Sequence, residues 1–177
     1  EVLVNPTFAL GYDLVHPFRS EPDSIILMGP ESILKTISSI RTKILNLSAV
    51  NSNVDAVIAL DIPKISKQIT YSEQKVSVKA EVEKFTEGSV NVPVTIVNVP
   101  EHLTVNFFPN EISVVFYATL KAYNNIDASH FAVECDFNEL SSDNIYLNPV
   151  LVKQPETVKT AKLNASQLEY VITPKNE

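Results

Sequence analysis

The chain has 177 residues, of which 45% are hydrophobic and 20% are charged, and its formal net charge at pH 7 is -7. This composition excludes a disordered or membrane-embedded chain, since no window approaches the roughly 18 consecutive apolar residues of a membrane helix. With only 14 Lys and Arg residues, the acidic balance also argues against binding of nucleic acid, which depends on neutralising phosphates. Cys135 is the only cysteine, which rules out an intrachain disulfide and a zinc cage of several thiolates.

The first predicted element is a strand over the apolar stretch Val2–Leu10. Pro6 restricts this strand to a sheet edge or a bulge, because proline has no N–H to donate to a ladder. Gly11, Asp13 and Pro17 then indicate a loop.

The next stretch, Pro22–Ile40, combines a short strand, a corner and a helix. The apolar run Ile25–Met28 is too short for a helix of its own, and it ends sharply at Gly29–Pro30. Pro30 suits the first helical turn, where a missing N–H costs nothing. The apolar face of the predicted helix recurs with the period of 3.6 residues and consists of Ile33, Leu34, Ile37 and Ile40.

Three further strands are predicted before residue 87, over Thr42–Leu47, Val57–Leu60 and Val76–Val82. The third of them alternates strictly between apolar and polar residues, which is typical of a strand with one packed face and one solvated face.

The second half of the chain repeats the pattern of the first. The spacing between Pro6 and Pro22 recurs between Pro93 and Pro109. In the frame so defined, Ile25 and Leu27 align with Ile112 and Val114. With one residue fewer in the second copy, Leu34 and Ile40 then align with Leu120 and Ile126. We therefore predict two tandem modules, 1–86 and 87–177. Because strands dominate, the expected class is mostly β with a minor α+β character, and each module is a small twisted β structure with one short helix.

The strands predicted for the second module cover Val90–Val97, Phe131–Phe137, Ile145–Val152 and Leu168–Ile172. The Gly–Pro corner of the first module has no counterpart here, so Phe116–Thr119 is expected to form the turn that precedes the second helix.

The titratable residues form no catalytic or metal-binding pattern. No serine stands in a nucleophile elbow that a histidine could activate, so structural roles are predicted for all three histidines. For Glu134 and Asp136 a solvated strand face is favoured over a calcium site. Cys135 alternates with apolar neighbours and is predicted to be buried and unreactive. We assign no catalytic residue, metal ligand or cofactor.

The densest aromatic cluster consists of Phe107, Phe108, Phe116 and Tyr117. Most of these rings are expected in the core, because aromatic residues on strands generally pack inside. Since Phe107 and Phe108 are adjacent and precede Pro109, one of the two rings could face outward as a patch for a partner.

Three segments are similar to the pattern of YbbR-like domains. The stretch Pro22–Leu34 resembles the family signature of a strand that runs into Gly–Pro and then a short helix. The segments Val92–Val94, with Pro93 at its centre, and Glu134–Leu140 resemble a second strand and a later strand with a polar turn of the same family. The resemblance covers essentially the whole chain as two repeats.

This resemblance implies a non-enzymatic interaction module on the extracytoplasmic side of a bacterial membrane, anchored by a helix outside this chain. It further implies a protein partner, a membrane-bound diadenylate cyclase whose synthesis of cyclic di-AMP the protein modulates. The alternative is a module that binds a glycan or another polymer of the cell envelope through exposed aromatic rings such as Phe108 or Tyr146. A hydrolase would require one of the histidines to lie in a pocket beside a serine or carboxylate.

Overall fold

The computed structural model describes residues 1–62, 69–140 and 146–175. Strands dominate these residues, which confirms the predicted mostly β class. The strands are β1 Val4–Phe8, β2 Tyr12–Leu14, β3 Arg19–Glu21, β4 Leu27–Met28, β5 Arg41–Thr42, β6 Leu45–Val50, β7 Val54–Asp61, β8 Thr70–Tyr71, β9 Lys75–Ala80, β10 Val82–Val97, β11 Leu103–Phe108, β12 Glu111–Thr119, β13 Ala132–Asp136, β14 Val150–Lys153, β15 Val158–Leu163 and β16 Glu169–Pro174. The helices are α1 Glu31–Leu34 and α2 Leu120–Tyr123, and single 3-10 turns cover Ala128–His130 and Phe137–Glu139.

The chain divides into two compact units, Glu1–Lys84 and Phe85–Glu177. The division falls inside β10. Unit 1 ends at residue 84, two residues before residue 86, where the repeat predicts the end of the first module.

Unit 1 contains a four-stranded antiparallel sheet in the order β3-β9-β7-β5, a parallel pair of β1 and β6, and an antiparallel pair of β4 and β8. β2 pairs with the first three residues of β10. The core of the unit is built from Leu60, Val76 and Val78, against which partly buried side chains from β1, β6 and β7 pack. The alternation predicted for Val76–Val82 is confirmed over β9, where Val76, Val78 and Ala80 form the buried face.

The helix of unit 1 is shorter than the 3.6-residue period predicts. α1 ends at Leu34, and the next two turns are closed by the tighter bonds from Thr36 N to Ile33 O and from Ile37 N to Leu34 O, both 3.0 Å. The hydroxyl of Thr36 also donates to Ile33 O at 2.7 Å. Hydroxyl side chains compete in this way with helical backbone bonds, and a short isolated helix has little cooperativity to resist.

The strand predicted over Thr42–Leu47 is in fact two strands with different partners. Lys43 N donates to Ala59 O in β7 at 2.9 Å, whereas Leu45 N donates to Leu3 O beside β1, also at 2.9 Å. The chain therefore changes from one sheet to another at Ile44, an event that the local apolar pattern does not encode.

Unit 2 contains a sheet in the order β14-β13-β10-β12-β15 and a separate antiparallel ribbon of β11 and β16. Among the described residues, its buried hydrophobic cluster is larger than that of unit 1. It includes Val92 from β10, the inward side of β12, and Val133 and Cys135 from β13. The predicted burial of Cys135 is confirmed.

Two predictions for unit 2 are corrected. Phe116–Thr119 is not a turn, because these residues continue β12 and pair with β10. The chain passes directly into α2, where the Thr119 hydroxyl caps the helix by accepting from Ala122 N at 3.3 Å. In the stretch predicted as a strand over Ile145–Val152, Ile145 lies outside the described residues, Leu147 forms an isolated bridge with Leu168, and β14 begins only at Val150.

Three strand pairings occur in the same order in both units. The parallel pair β1–β6 corresponds to β10–β13, the antiparallel pair β4–β8 corresponds to β12–β15, and the antiparallel pair β3–β9 corresponds to β11–β16. This shared order supports our proposal that the two units arose as tandem copies of one module.

Candidate interaction surfaces

The residues that the repeat singled out in unit 1 lie at different depths. Ile25 and Ile40 pack against the core of the unit. Leu27 and Leu34 are half-buried, and Pro22, Gly29 and Pro30 are exposed. The peptide bond before Pro22 is cis, as is the bond before Pro109 in unit 2.

The matching residues of unit 2 are equally divided. Ile112 is a core residue with 1% of its surface exposed, and Ile126 packs against the same core. Pro93 is exposed, Pro109 is half-buried, and Leu120 at the start of α2 is 48% exposed. Leu34 and Leu120 therefore align in the repeat, although Leu34 is half-buried and Leu120 is exposed.

A cavity of about 310 Å³ in unit 1 is lined by much of the stretch Pro22–Ile40. Ser24, Ser38 and Ser39 contribute polar groups to its wall, and Leu60 and Val76 of the core contribute apolar ones. Thr42, also part of the lining, is 2% exposed, and its hydroxyl already accepts from Leu3 N at 2.9 Å. The cavity is thus an opening onto the core of the unit. In its wall the Ser24 hydroxyl donates to Asp23 Oδ1 at 2.9 Å, and no histidine is among the described residues that line it.

The ribbon of β11 and β16 separates the two adjacent phenylalanines of the aromatic cluster. Phe107 lies on the inner side, where it packs against the core of unit 2. Phe108 lies on the opposite side and is 75% exposed. One ring of the pair is therefore available at the surface. Tyr146, the other aromatic residue considered for ligand binding, is half-buried.

The edge of β16 that faces away from β11 is bridged just before the strand, where Leu168 pairs with Leu147. Farther along this edge, no strand of the described residues pairs with β16 at Ile172. Lys175 N donates to His102 O at 2.9 Å, so His102 and Lys175 form a hydrogen-bonded pair. Hydrogen-bonded and non-bonded pairs alternate along an antiparallel ladder, and the pair of Val105 and Ile172 is the third after this one. The pair of Val105 and Ile172 is therefore a non-bonded one, in which the N–H and C=O of Ile172 point away from β11. The Ile172 side chain is 40% exposed and that of Val171 is 62% exposed.

Unit 1 shows what occupies the corresponding edge. β9, the counterpart of β16, pairs with β3 on one side and with β7 on the other. β14, which follows β13 as β7 follows β6, pairs instead with β13. The sequence could not have indicated this difference, because partner choice depends on where each strand lies in the folded unit.

A cleft of about 500 Å³ lies beside Phe108 in unit 2. Asparagines from three separate parts of the chain contribute to it: Asn91 of β10, Asn110 between β11 and β12, and Asn164 just after β15. Backbone bonds hold two of these positions, since Val94 N donates to Asn110 O at 2.9 Å and Asn164 N donates to Ser113 O at 3.0 Å. The spacing of these asparagines in the sequence does not indicate that they converge, so they could not be predicted as a group.

The histidines lie at the surface. His16, His102 and His130 are all exposed. His130 has a structural contact, since its Nδ1 accepts from Asp127 N at 3.3 Å at the start of a 3-10 turn. Hydrogen bonds from the Ser129 hydroxyl and backbone N–H hold the pKa of Asp127 below its usual value.

The acidic side chains near Cys135 serve the local structure. Asp136 accepts from Asn98 Nδ2 at 2.9 Å and from Asn138 N at 2.8 Å, and these bonds lower the pKa of its carboxyl group. Within residues 1–62, 69–140 and 146–175, no group of three His, Cys, Asp or Glu side chains is placed to hold a metal ion. No helix in the same residues is long and apolar enough to cross a membrane.

We expect Cys135 to be unreactive in the folded protein. Its side chain has no exposed surface, and burial together with the nearby charge of Glu139 raises the pKa of the thiol to about 11. Near pH 8 an ordinary thiol with a pKa of about 8.5 is partly ionised, whereas a thiol with this raised pKa is almost entirely protonated and cannot attack. Iodoacetamide labelling followed by mass spectrometry should show no adduct in native buffer and complete labelling in concentrated guanidinium. Rapid native labelling would contradict the buried position of Cys135.

No protein-family model and no curated protein matches the chain. Among solved structures, the chain is similar to the crystal structure of a YbbR-like protein from Streptococcus pneumoniae. The two share 13% sequence identity, the match covers 98% of this chain and 92% of the other, and the TM-score is 0.37.

Proposed function

We propose that the chain is a non-enzymatic, extracytoplasmic interaction module of the YbbR type, which belongs to a membrane-anchored protein and binds a protein partner. The observation that carries this proposal is the edge of β16 at Ile172, where the backbone groups point away from β11, no strand of the described residues pairs with them, and the side chains of Val171 and Ile172 are exposed.

An open strand edge favours a protein as the ligand. Unpaired N–H and C=O groups along an edge are a template for pairing with a strand of another chain, and the apolar side chains beside them add buried surface. Unit 1 supports this mode of binding, because β7 fills the equivalent edge of β9 through a six-residue antiparallel register from Val54 to Ala59. A strand supplied by the partner would do the same for β16.

The identity of the partner rests on the sequence. The segments Pro22–Leu34, Val92–Val94 and Glu134–Leu140 resemble YbbR-like domains. That resemblance supports a membrane-bound diadenylate cyclase as the partner, and a location on the outer side of a bacterial membrane. In this proposal the protein changes the synthesis of cyclic di-AMP by binding, and it contributes no catalytic residue.

The test uses the full-length protein co-expressed with the cyclase. Ile172→Pro removes the outward N–H, whereas Ile172→Ala shortens the side chain and keeps the N–H. Loss of a hydrogen bond that nucleates strand addition is worth about 0.5–1.5 kcal/mol, so the proline variant is expected to bind about two- to twelvefold more weakly in a pull-down titration, and more weakly than the alanine variant. The affinity of the alanine variant for the partner should fall by less than about threefold, as expected when a partly exposed side chain is shortened.

The level of cyclic di-AMP should follow binding in both variants. Circular dichroism must first show that Ile172→Pro remains folded. If it does not, Ile172→Lys replaces it, because a charge on an edge strand discourages pairing without removing a backbone donor. Unchanged binding by the folded proline or lysine variant would refute the edge as the interface. If the parent protein neither binds the cyclase nor changes the level of cyclic di-AMP, the assignment of the cyclase as the partner is refuted.

A further inference from the structure

We propose that unit 2 carries a binding site for a neutral glycan in the cleft between Phe108 and the asparagines Asn91, Asn110 and Asn164. This site is separate from the β16 edge and does not depend on the proposed protein partner.

The lining of the cleft has the two kinds of group that a sugar needs. A pyranose ring has an apolar C–H face and a rim of hydroxyl groups. The electron-rich face of an aromatic ring such as Phe108 attracts C–H groups with partial positive charge, and the exposed position of this ring leaves it accessible. Asparagine side chains are both donors and acceptors, so each can bind a hydroxyl in either role.

The amide groups are available for a ligand. Within the described part of the chain, the side chains of Asn91, Asn110 and Asn164 have no hydrogen-bond partner in the protein, and all three are exposed. The backbone of Asn91 is held in the ladder of β10 and β12. Asn110 is held by the hydrogen bond from Val94 N to its carbonyl, and Asn164 by the hydrogen bond from its N–H to Ser113 O. A ligand would therefore meet polar groups on a fixed frame and would not have to break internal bonds to engage them.

The charge of the cleft favours a neutral ligand. Glu111 is the only charged residue among the described residues that line it, and no Lys or Arg is among them. A nucleotide, a phosphorylated peptide or a sulfated glycan needs cationic side chains to balance its anionic groups, and the net charge of -7 opposes all three. The volume of about 500 Å³ is within the usual range of roughly 300–1,000 Å³ for ligand sites, which suits a short oligosaccharide.

The experiment titrates the whole chain with three tetrasaccharides, followed by NMR line shifts or calorimetry. The probes are an oligomer of N-acetylglucosamine, an oligomer of glucose and a sulfated heparin fragment. We expect binding of at least one neutral probe and no comparable binding of the heparin fragment. Phe108→Ala should weaken the neutral probe about tenfold or more, because a stacked aromatic ring is commonly worth about that factor. Asn164→Ala, which removes an amide, should weaken it severalfold.

Val152→Ala is the matched control, since it removes an exposed apolar side chain from β14 of the same unit without touching the lining of the cleft. Its affinity for the neutral probe should equal that of the parent. No binding of either neutral probe, equal loss in Phe108→Ala and Val152→Ala, or tighter binding of the heparin fragment would each overturn the proposal. Ile172→Pro should keep the glycan affinity and Phe108→Ala should keep the protein partner, so failure of one site is distinguishable from failure of the other.

Discussion

Replacing Ile112 with alanine is expected to destabilise unit 2 by about 2 to 5 kcal/mol. Ile112 is 1% exposed and lies opposite Val92, another core residue, in the ladder of β10 and β12. The large effect follows from two terms, the lost transfer free energy of the removed carbons and the cavity left between two paired strands that cannot close on it. Urea unfolding monitored by far-ultraviolet circular dichroism measures the free energy of unfolding.

Val115→Ala on the same strand is the control for this prediction. Val115 lies on the opposite face of β12 and is 39% exposed, so truncating it should change the free energy of unfolding by less than about 1 kcal/mol. A loss below about 1 kcal/mol for Ile112→Ala, or equal losses for both variants, would show that the two faces of β12 are wrongly assigned.

Gly88→Ala is expected to destabilise unit 2 by about 1 to 3 kcal/mol, although alanine normally stabilises a chain by restricting its unfolded state. A Cβ atom on Gly88 would lie 2.5 Å from Cε2 of Tyr123 and 2.6 Å from Cζ of Phe116. Phe116 is buried, and the centroid of its ring is 5.7 Å from that of Phe131, so it has no room to retreat. The thermal unfolding midpoint and urea titration of the variant measure the cost.

Ser89→Ala provides the matched control, because Ser89 is the next residue of β10 and its side chain is exposed. It should leave the free energy of unfolding within about 0.5 kcal/mol of the parent value. In the Gly88→Ala background, Tyr123→Ala removes one of the two clashing rings, and part of the lost stability should return. A Gly88→Ala variant as stable as the parent would contradict the close packing of β10 against these rings.

Local patterns predicted some features of this protein correctly. The alternation around Cys135 placed Val133 and Cys135 on one buried face of β13, and the alternation from Val76 onward did the same for β9. Such predictions succeed because successive side chains of a strand point to opposite faces whatever the partner strand is. The mostly β class follows from the same patterns.

Helix length was predicted less well. The apolar residues from Ile33 to Ile40 have the helical period, yet α1 stops at Leu34. Periodicity reports which side of a segment meets the core, and Ile40 does meet it. It does not report whether the backbone between those contacts stays helical, which here depends on hydroxyl side chains such as that of Thr36 and on the nearby strands.

The candidate binding surfaces were the least predictable part. The sequence indicated that one of Phe107 and Phe108 could face outward, but it could not show which, nor that Asn91, Asn110 and Asn164 lie beside Phe108. It likewise could not show that β9 pairs with a strand on each side, whereas β11 is the one strand of the described residues that pairs with β16.

Sequence patterns were thus sufficient to predict the strand content, the buried and exposed faces of individual strands, and the internal similarity between the two halves of the chain. All three depend on residues close together in the chain, or on matching one segment with another. Which strands pair, and which distant side chains share a cleft, is fixed only when the chain folds in three dimensions. These features depend on contacts between segments far apart in the chain, and the periodicity of a single segment holds no information about them.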